Sequence, residues 1–156
     1  MLFYKVALFG HRDLNAHSKV EERLYPLLYE LVKTKSFLEI LLGRNGEFDV
    51  FAASVFKRVQ NALGKDNNSI TLVLPYKHKD IEYFEKYYDN IFIPEFLENA
   101  HPKSAIRKRN RYMVEECDLL ICFVERNTGG AYSALKYARK LGKKVINLAE
   151  DYKYNM

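Results

Sequence analysis

Phe3-Tyr4-Lys5-Val6-Ala7-Leu8-Phe9-Gly10-His11-Arg12 is the stretch on which the fold turns. From Phe3 to Phe9 it is short and almost continuously apolar, and it stops at a glycine, as a strand buried on both faces does. The same event recurs downstream. Phe37 to Leu42 ends at Gly43, and Ile70 to Leu74 ends at Pro75. Between the first two runs, Val20, Leu24, Leu27, Leu28, Leu31 and Val32 recur at spacings of three and four, which predicts an amphipathic helix from Ser18 to Lys33. Pro26 is expected to kink it or to shift its start. A second helix is predicted from Phe48 to Leu63, with Gly64 placed as a C-cap. Strand and helix thus alternate, and nearly all-apolar strands in that order mean a parallel sheet covered on both sides.

The second half continues the pattern after an interruption. Residues 77–103 are rich in Tyr and Phe and read as an insertion packing onto the domain or onto a partner chain; within it Ile81 to Tyr88 is helical and Ile91 to Ile93 a short strand. A basic helix from Ser104 to Cys117 leads into the strand Leu119 to Val124, the helix Ala131 to Leu141 and the strand Val145 to Leu148. The expected architecture is α/β: residues 1–156 as a single Rossmann-like domain, a three-layer sandwich with a mainly parallel five- or six-stranded sheet. The order of its main strands is 3-2-1-4-5.

Composition narrows the function. With 48% hydrophobic and 29% charged residues among 156, the chain is not a disordered one. A net charge of +5 favours an anionic partner without choosing among nucleic acid, a membrane surface and a small ligand. Cys117 and Cys122 have neither CxxC nor CxxH spacing, so reduced thiols are expected rather than a disulfide framework or a zinc site. The N-terminal apolar run is broken by Lys5 and reaches His11 and Arg12 too soon for a signal peptide, and no run approaches the roughly 18 apolar residues of a membrane span. A cytoplasmic protein with no membrane contact, no metal and no bound cofactor is the expectation.

In an open parallel sheet the ligand sits beyond the carboxyl ends of the strands, where the strand order reverses. That places the site between the first and fourth main strands, bordered by Gly10, His11 and Arg12 and by Thr128, Gly129 and Gly130, with Gly43 one strand over. Gly129 and Gly130 open a helix, whose first N–H groups lack partners and carry partial positive charge; a phosphate fits there, with hydroxyls from Thr128 and Ser133. Two glycines also make a tight strand-to-helix turn with no ligand. Asp49 is either a first-turn carboxylate of its own helix or an acceptor for a ribose hydroxyl. His11 is an acid/base group, a phosphate donor or a structural hydrogen-bonder. On the basic helix Arg107 and Arg111 share one face and Arg109 points about 160° away from Arg107, so one side can meet a ligand while the other stays in water.

These residues carry a resemblance. Phe9-Gly10-His11-Arg12 looks like the first loop of YpsA-like proteins. The segment from Gly43 to Ala52 is similar to a G-x(5)-D-x-x-A pattern, with Glu47 where a glycine is usual. Arg109-Asn110-Arg111-Tyr112-Met113 resembles the R-x-x-x-M segment of Lonely Guy enzymes, and Thr128-Gly129-Gly130-Ala131-Tyr132-Ser133 falls where those have P-G-G-x-G-T. The chain therefore resembles the SLOG superfamily of Rossmann-like proteins, which includes DprA, the Lonely Guy phosphoribohydrolases and YpsA-like proteins. The resemblance implies a nucleotide-type ligand and places Arg109 in the site. It also implies N-glycoside hydrolysis of nucleoside 5′-monophosphates, but the glutamate of that motif is here Lys136. A lysine supplies no carboxylate.

The expectation is therefore a nucleotide sensor or binding module whose phosphate site is the Gly129-Gly130 helix terminus. Gly10, His11, Arg12, Gly43, Asp49, Arg107, Thr128 and Ser133 are the other ligand-binding candidates. The alternative is an N-glycosidase with a relocated carboxylate, which Glu125, Asp49 or Glu47 could supply, acting beside Arg109. A homodimer is expected. Nucleic acid is not the expected partner, because the basic helix is short, lacks interleaved aromatics beyond Tyr112, and no accessory domain flanks the fold.

Overall fold

The computed structural model describes residues 2–150. Strand β1 (Phe3–Gly10) is central. It pairs in parallel with β2 (Phe37–Leu42) on one side and with β5 (Leu119–Phe123) on the other. Outward from β2 come β3 (Asn68–Val73) and β4 (Asn90–Phe92), and outward from β5 comes β6 (Lys144–Asn147). The order is β4-β3-β2-β1-β5-β6, with every pair parallel. This is the expected order of five main strands, extended by the short strand of the aromatic segment at one edge.

Side chains alternate along each strand and so divide the core in two. Val6 and Leu8 point to the layer of α1 (His17–Thr34), α2 (Glu47–Leu63) and α3 (Ile81–Tyr87), where they join Leu24, Leu28, Phe48, Phe56 and Phe84. Ala7 and Phe9 point to α4 (Pro102–Glu116) and α5 (Gly130–Lys140), among Met113, Val114, Leu135 and Ala138. Helix α5 buries Ala131, Ala134, Leu135 and Ala138, the three-and-four spacing of one narrow stripe. Three alanines in it let the helix axis lie close to the sheet. Pro26 neither ends α1 nor displaces its start, since the helix runs through it.

In the aromatic segment Phe84, Tyr88 and Leu97 are buried, whereas Tyr83, Phe92 and Phe96 are exposed. Phe92 and Phe96 lie against Tyr112 of α4, with ring centroids 5.5 and 6.1 Å apart. The segment thus packs onto the fold at the β4 edge. Cys117 and Cys122 are free and buried, and burial pushes their thiols up to about 11 and about 12. No helix among the described residues is long and apolar enough to cross a membrane. Among them, too, no cluster of His, Cys, Asp or Glu could hold a metal ion.

Candidate functional site

The reversal of strand order falls between β1 and β5, so the loops leaving these strands diverge and leave a crevice at the sheet's carboxyl edge. Its cavity is about 500 Å³ and is lined by Gly10, His11, Arg12, Gly43, Asp49, Arg109, Thr128, Gly129 and Gly130. Of the remaining candidates, Arg107 and Ser133 stand in an adjoining groove between α4 and α5, and Glu125 is exposed and lines neither. Lys136 is also outside, exposed on α5 with its ammonium over the Tyr132 ring.

One end of the crevice is the start of α5. Gly129 is its N-cap at φ 94, a left-handed conformation that favours glycine, and among the described residues no side chain caps the helix. The first turn holds no acidic residue, while Arg139 and Lys140 in the last turn complement the helix dipole. A Cβ on Gly129 would meet nothing within 4 Å, and one on Gly130 would meet only Asn110 Nδ2 at 3.5 Å. Gly129, Gly130 and Ala131 line the crevice, so the first turn of the helix, whose amides lack intrahelical partners, borders its open space.

The other end is Arg109. Helix α4 buries Ala105, Arg109 and Met113 in one stripe, so the arginine occupies a core position and is only 2% exposed. Its Nη1 donates to the Val73 carbonyl at 2.9 Å and its Nε to Asn110 Oδ1 at 2.8 Å. Among the described residues no carboxylate oxygen lies within ion-pair distance of it. Burial lowers its pKa, against the opposing pull of Asp49. Gly43 makes the placement possible, because a Cβ there would stand 2.9 Å from Nη1. The crevice floor thus holds a desolvated guanidinium with donors to spare, felt by Asp49 at a distance but in contact with no carboxylate among the described residues, and such burial costs free energy.

Asp49, half-buried beside it, accepts the Asn45 amide at 3.0 Å. Burial pushes its carboxyl up to about 6, against the Asn45 hydrogen bond and Arg109, which pull it down. His11 is 8% exposed and its Nε2 accepts the backbone amides of Glu125 at 3.1 Å and Arg126 at 3.4 Å. It is therefore a neutral imidazole tying the β1 loop to the β5 loop, and burial first, then Arg126, lowers its pKa.

Gly10 lines the crevice, yet the space of its missing Cβ is filled by the Phe48 ring rather than left for a ligand. Gly46 and Glu47 brace the same loop. A Cβ on Gly46 would strike the Arg12 backbone, Glu47 N–H donates to the Arg12 carbonyl at 2.7 Å, and Leu14 N–H donates to Glu47 Oε2 at 3.0 Å.

Sequence reasoning missed Asn110, Asn45 and the Asp13–Arg126 pair, whose charged atoms lie 2.7 Å apart across the mouth. Asn110 carried a signal in its adjacency to Arg109. Its role depends on the Nε–Oδ1 bond, which no spacing rule announces.

No family model matches the chain, and no curated protein matches it. Solved structures do. DNA processing protein A from Streptococcus pneumoniae is similar with a TM-score of 0.67 and 20% identity, over 92% of this chain and 49% of that one. DNA processing protein A from Helicobacter pylori, whose structure is described for its single-stranded DNA binding mode, gives 0.61 and 22% over 91% and 63%. A structural-genomics target, TM1055, gives 0.61 and 14% over 91% and 72%. The chain spans about half the length of the streptococcal protein. At these identities the likeness shows the fold, and it is the fold that the sequence resemblance implied.

One expectation is corrected by these neighbours. Nucleic acid was set aside as a partner, whereas the fold is shared with proteins of DNA processing, one of them described by how it binds single strands. The physical reason is that the basic helix does not present its cations alone. In three dimensions Lys103, Arg107 and Arg111 of α4 are joined by Arg12 from the β1 loop in one groove beside the crevice.

Proposed function

Because this chain carries the SLOG-type Rossmann-like fold that it shares with DNA processing protein A, we propose that it is a nucleotide-binding module. The nucleotide's phosphate rests on the α5 amides. The observation that carries this reading is the buried Arg109, which has no carboxylate within ion-pair distance and stands in the same crevice as an uncapped helix N-terminus. Two positive features then converge on one cavity, whose volume suits a mononucleotide. Asp49 and Asn45 offer an acceptor and a donor to the sugar.

Binding is favoured over N-glycoside hydrolysis. Glu125 does not line the crevice, Asp13 is paired with Arg126, and Asp49 accepts a backbone amide beside Arg109. A nucleotide presented within a single strand is the second reading, supported by the way the crevice adjoins the cationic groove between α4 and α5, with Arg12, Ile106, Asn110 and Gly130 lining both.

Calorimetric titration tests the proposal. A nucleoside 5′-monophosphate should bind and the parent nucleoside should bind at least about tenfold more weakly, the worth of one charge-assisted set of hydrogen bonds. Gly130→Val is the informative variant, since its backbone φ is not strained and its Cβ has room. It should keep its melting temperature and lose the phosphate-dependent affinity. Equal affinity for nucleoside and nucleotide, or an unaffected valine variant, would overturn the phosphate site. Release of free base that Asp49→Asn abolishes would restore the hydrolase.

A further inference from the structure

The groove between α4 and α5 has a cavity of about 510 Å³, comparable in size to the crevice it adjoins. Its cations come from two elements: Lys103, Arg107 and Arg111 from α4, and Arg12 from the β1 loop. Among the described residues no carboxylate lines it. Among the described residues none of these four side chains makes an ion pair within 4 Å.

Arg107 and Arg111 are one turn apart on the same helix face, so their like charges repel while the groove is empty. Arg111 is held in place regardless. Its guanidinium lies over the Tyr137 ring at 4.6 Å, and the Tyr137 hydroxyl donates to Glu115 Oε2 at 2.6 Å. A guanidinium stacked on a ring keeps its edge free for the two-pronged hydrogen bonding that phosphate accepts.

Asn110 stands where crevice and groove meet. Its Oδ1 is taken by Arg109 Nε, so its Nδ2 is turned toward Gly130. The α5 terminus is therefore reached from both sides, and a ligand leaving the crevice past Gly130 meets Asn110 and then Arg107 and Arg111.

We infer that this groove is a second phosphate subsite, so that the ligand is a nucleotide bearing two phosphate groups on one backbone, the first at the α5 amides and the second between Arg107 and Arg111. The inference rests on the reading of the crevice as a nucleotide site. The second phosphate belongs to a pyrophosphate-linked dinucleotide or to the phosphodiester of a short single strand; both offer anionic phosphate oxygens to the two guanidiniums and differ in their spacing from the first phosphate.

The test is titration of the protein with four probes: AMP and dTMP with one phosphate, nicotinamide adenine dinucleotide with a pyrophosphate, and a 5′-phosphorylated thymidine dinucleotide with a phosphodiester. One of the last two should bind at least about tenfold more tightly than its monophosphate, and the preferred one identifies the source. The double variant Arg107→Gln, Arg111→Gln, at two exposed positions, should erase that advantage and leave monophosphate affinity unchanged. Lys108→Gln, on the same helix but outside the groove, should change neither. If AMP binds and neither two-phosphate probe binds better, the second subsite is overturned while the crevice reading stands. If the double variant weakens monophosphates as much as dinucleotides, or Lys108→Gln has the same effect, general charge attraction replaces the subsite. If no probe binds, both readings fall together.

Discussion

Arg109 shows most plainly what a single residue contributes. In the sequence it is one cation among several on a basic helix, and the angle between it and Arg107 already separates them onto different sides. What the spacing could not show is that Arg109's side is the core side, because charge masks a stripe that otherwise reads Ala105, Met113. A buried guanidinium without a carboxylate destabilises the fold, so Arg109→Met should be neutral or stabilising in urea unfolding, the loss of the Val73 hydrogen bond costing about 1–3 kcal/mol against the desolvation it relieves. Nucleotide affinity should nevertheless fall at least about tenfold. A variant that unfolds more readily and binds in proportion to its folded fraction would make Arg109 merely structural.

Asp49 gives a pH-dependent counterpart. Its folded pKa of about 6 lies above the ordinary 3.8, so the folded state holds its proton more tightly than the unfolded state does. Its contribution to stability is greatest below about pH 4 and is lost as pH rises to about 6, by at most roughly 3 kcal/mol before allowance for water in the crevice. Comparing urea midpoints of the wild type and Asp49→Asn from pH 4 to 7 checks this. The asparagine variant should gain on the wild type across that window, and parallel curves would contradict the assignment.

At the level of elements, the four central strands and the four long helices were legible because burial on both faces and the 3.6-residue period leave strong marks. Phe37 to Leu42 matches its strand end for end. The loops were legible only in part. Gly10, Gly43 and Gly46 all serve close approaches, but the approaching groups are the Phe48 ring, the Arg109 guanidinium and the Arg12 backbone, which come from distant elements. A glycine in the sequence announces that something comes near without saying what.

His11 belongs to this scale because it joins two loops. Its folded pKa is lowered, so the stability it contributes is complete above the ordinary value of 6.5 and is lost as pH falls through the lowered one. His11→Gln should therefore flatten the acid side of the melting-temperature profile below about pH 6.5, at a cost near neutrality of about 1–2 kcal/mol for the two amide bonds. An unchanged acid limb would mean that the imidazole does not hold the loops together.

For the whole molecule, the position of the crevice follows from strand order alone, and the order was readable from the alternation of strands and helices. The partner was less readable. Net charge announces anions, but whether four cations form a groove or four solvated tips depends on how α4 docks beside α5, which is a property of the assembled layers. On the proposed function, the α5 terminus and Arg109 together receive a nucleotide phosphate. The most direct measurement is an amide nitrogen–proton correlation spectrum recorded during titration with a nucleoside 5′-monophosphate. Saturable shifts are expected on the amides of Gly129, Gly130 and Ala131 and on the Arg109 side-chain Nε–H, all lost in Gly130→Val. Shifts confined to other surfaces, or none at ligand concentrations that saturate binding, would contradict it.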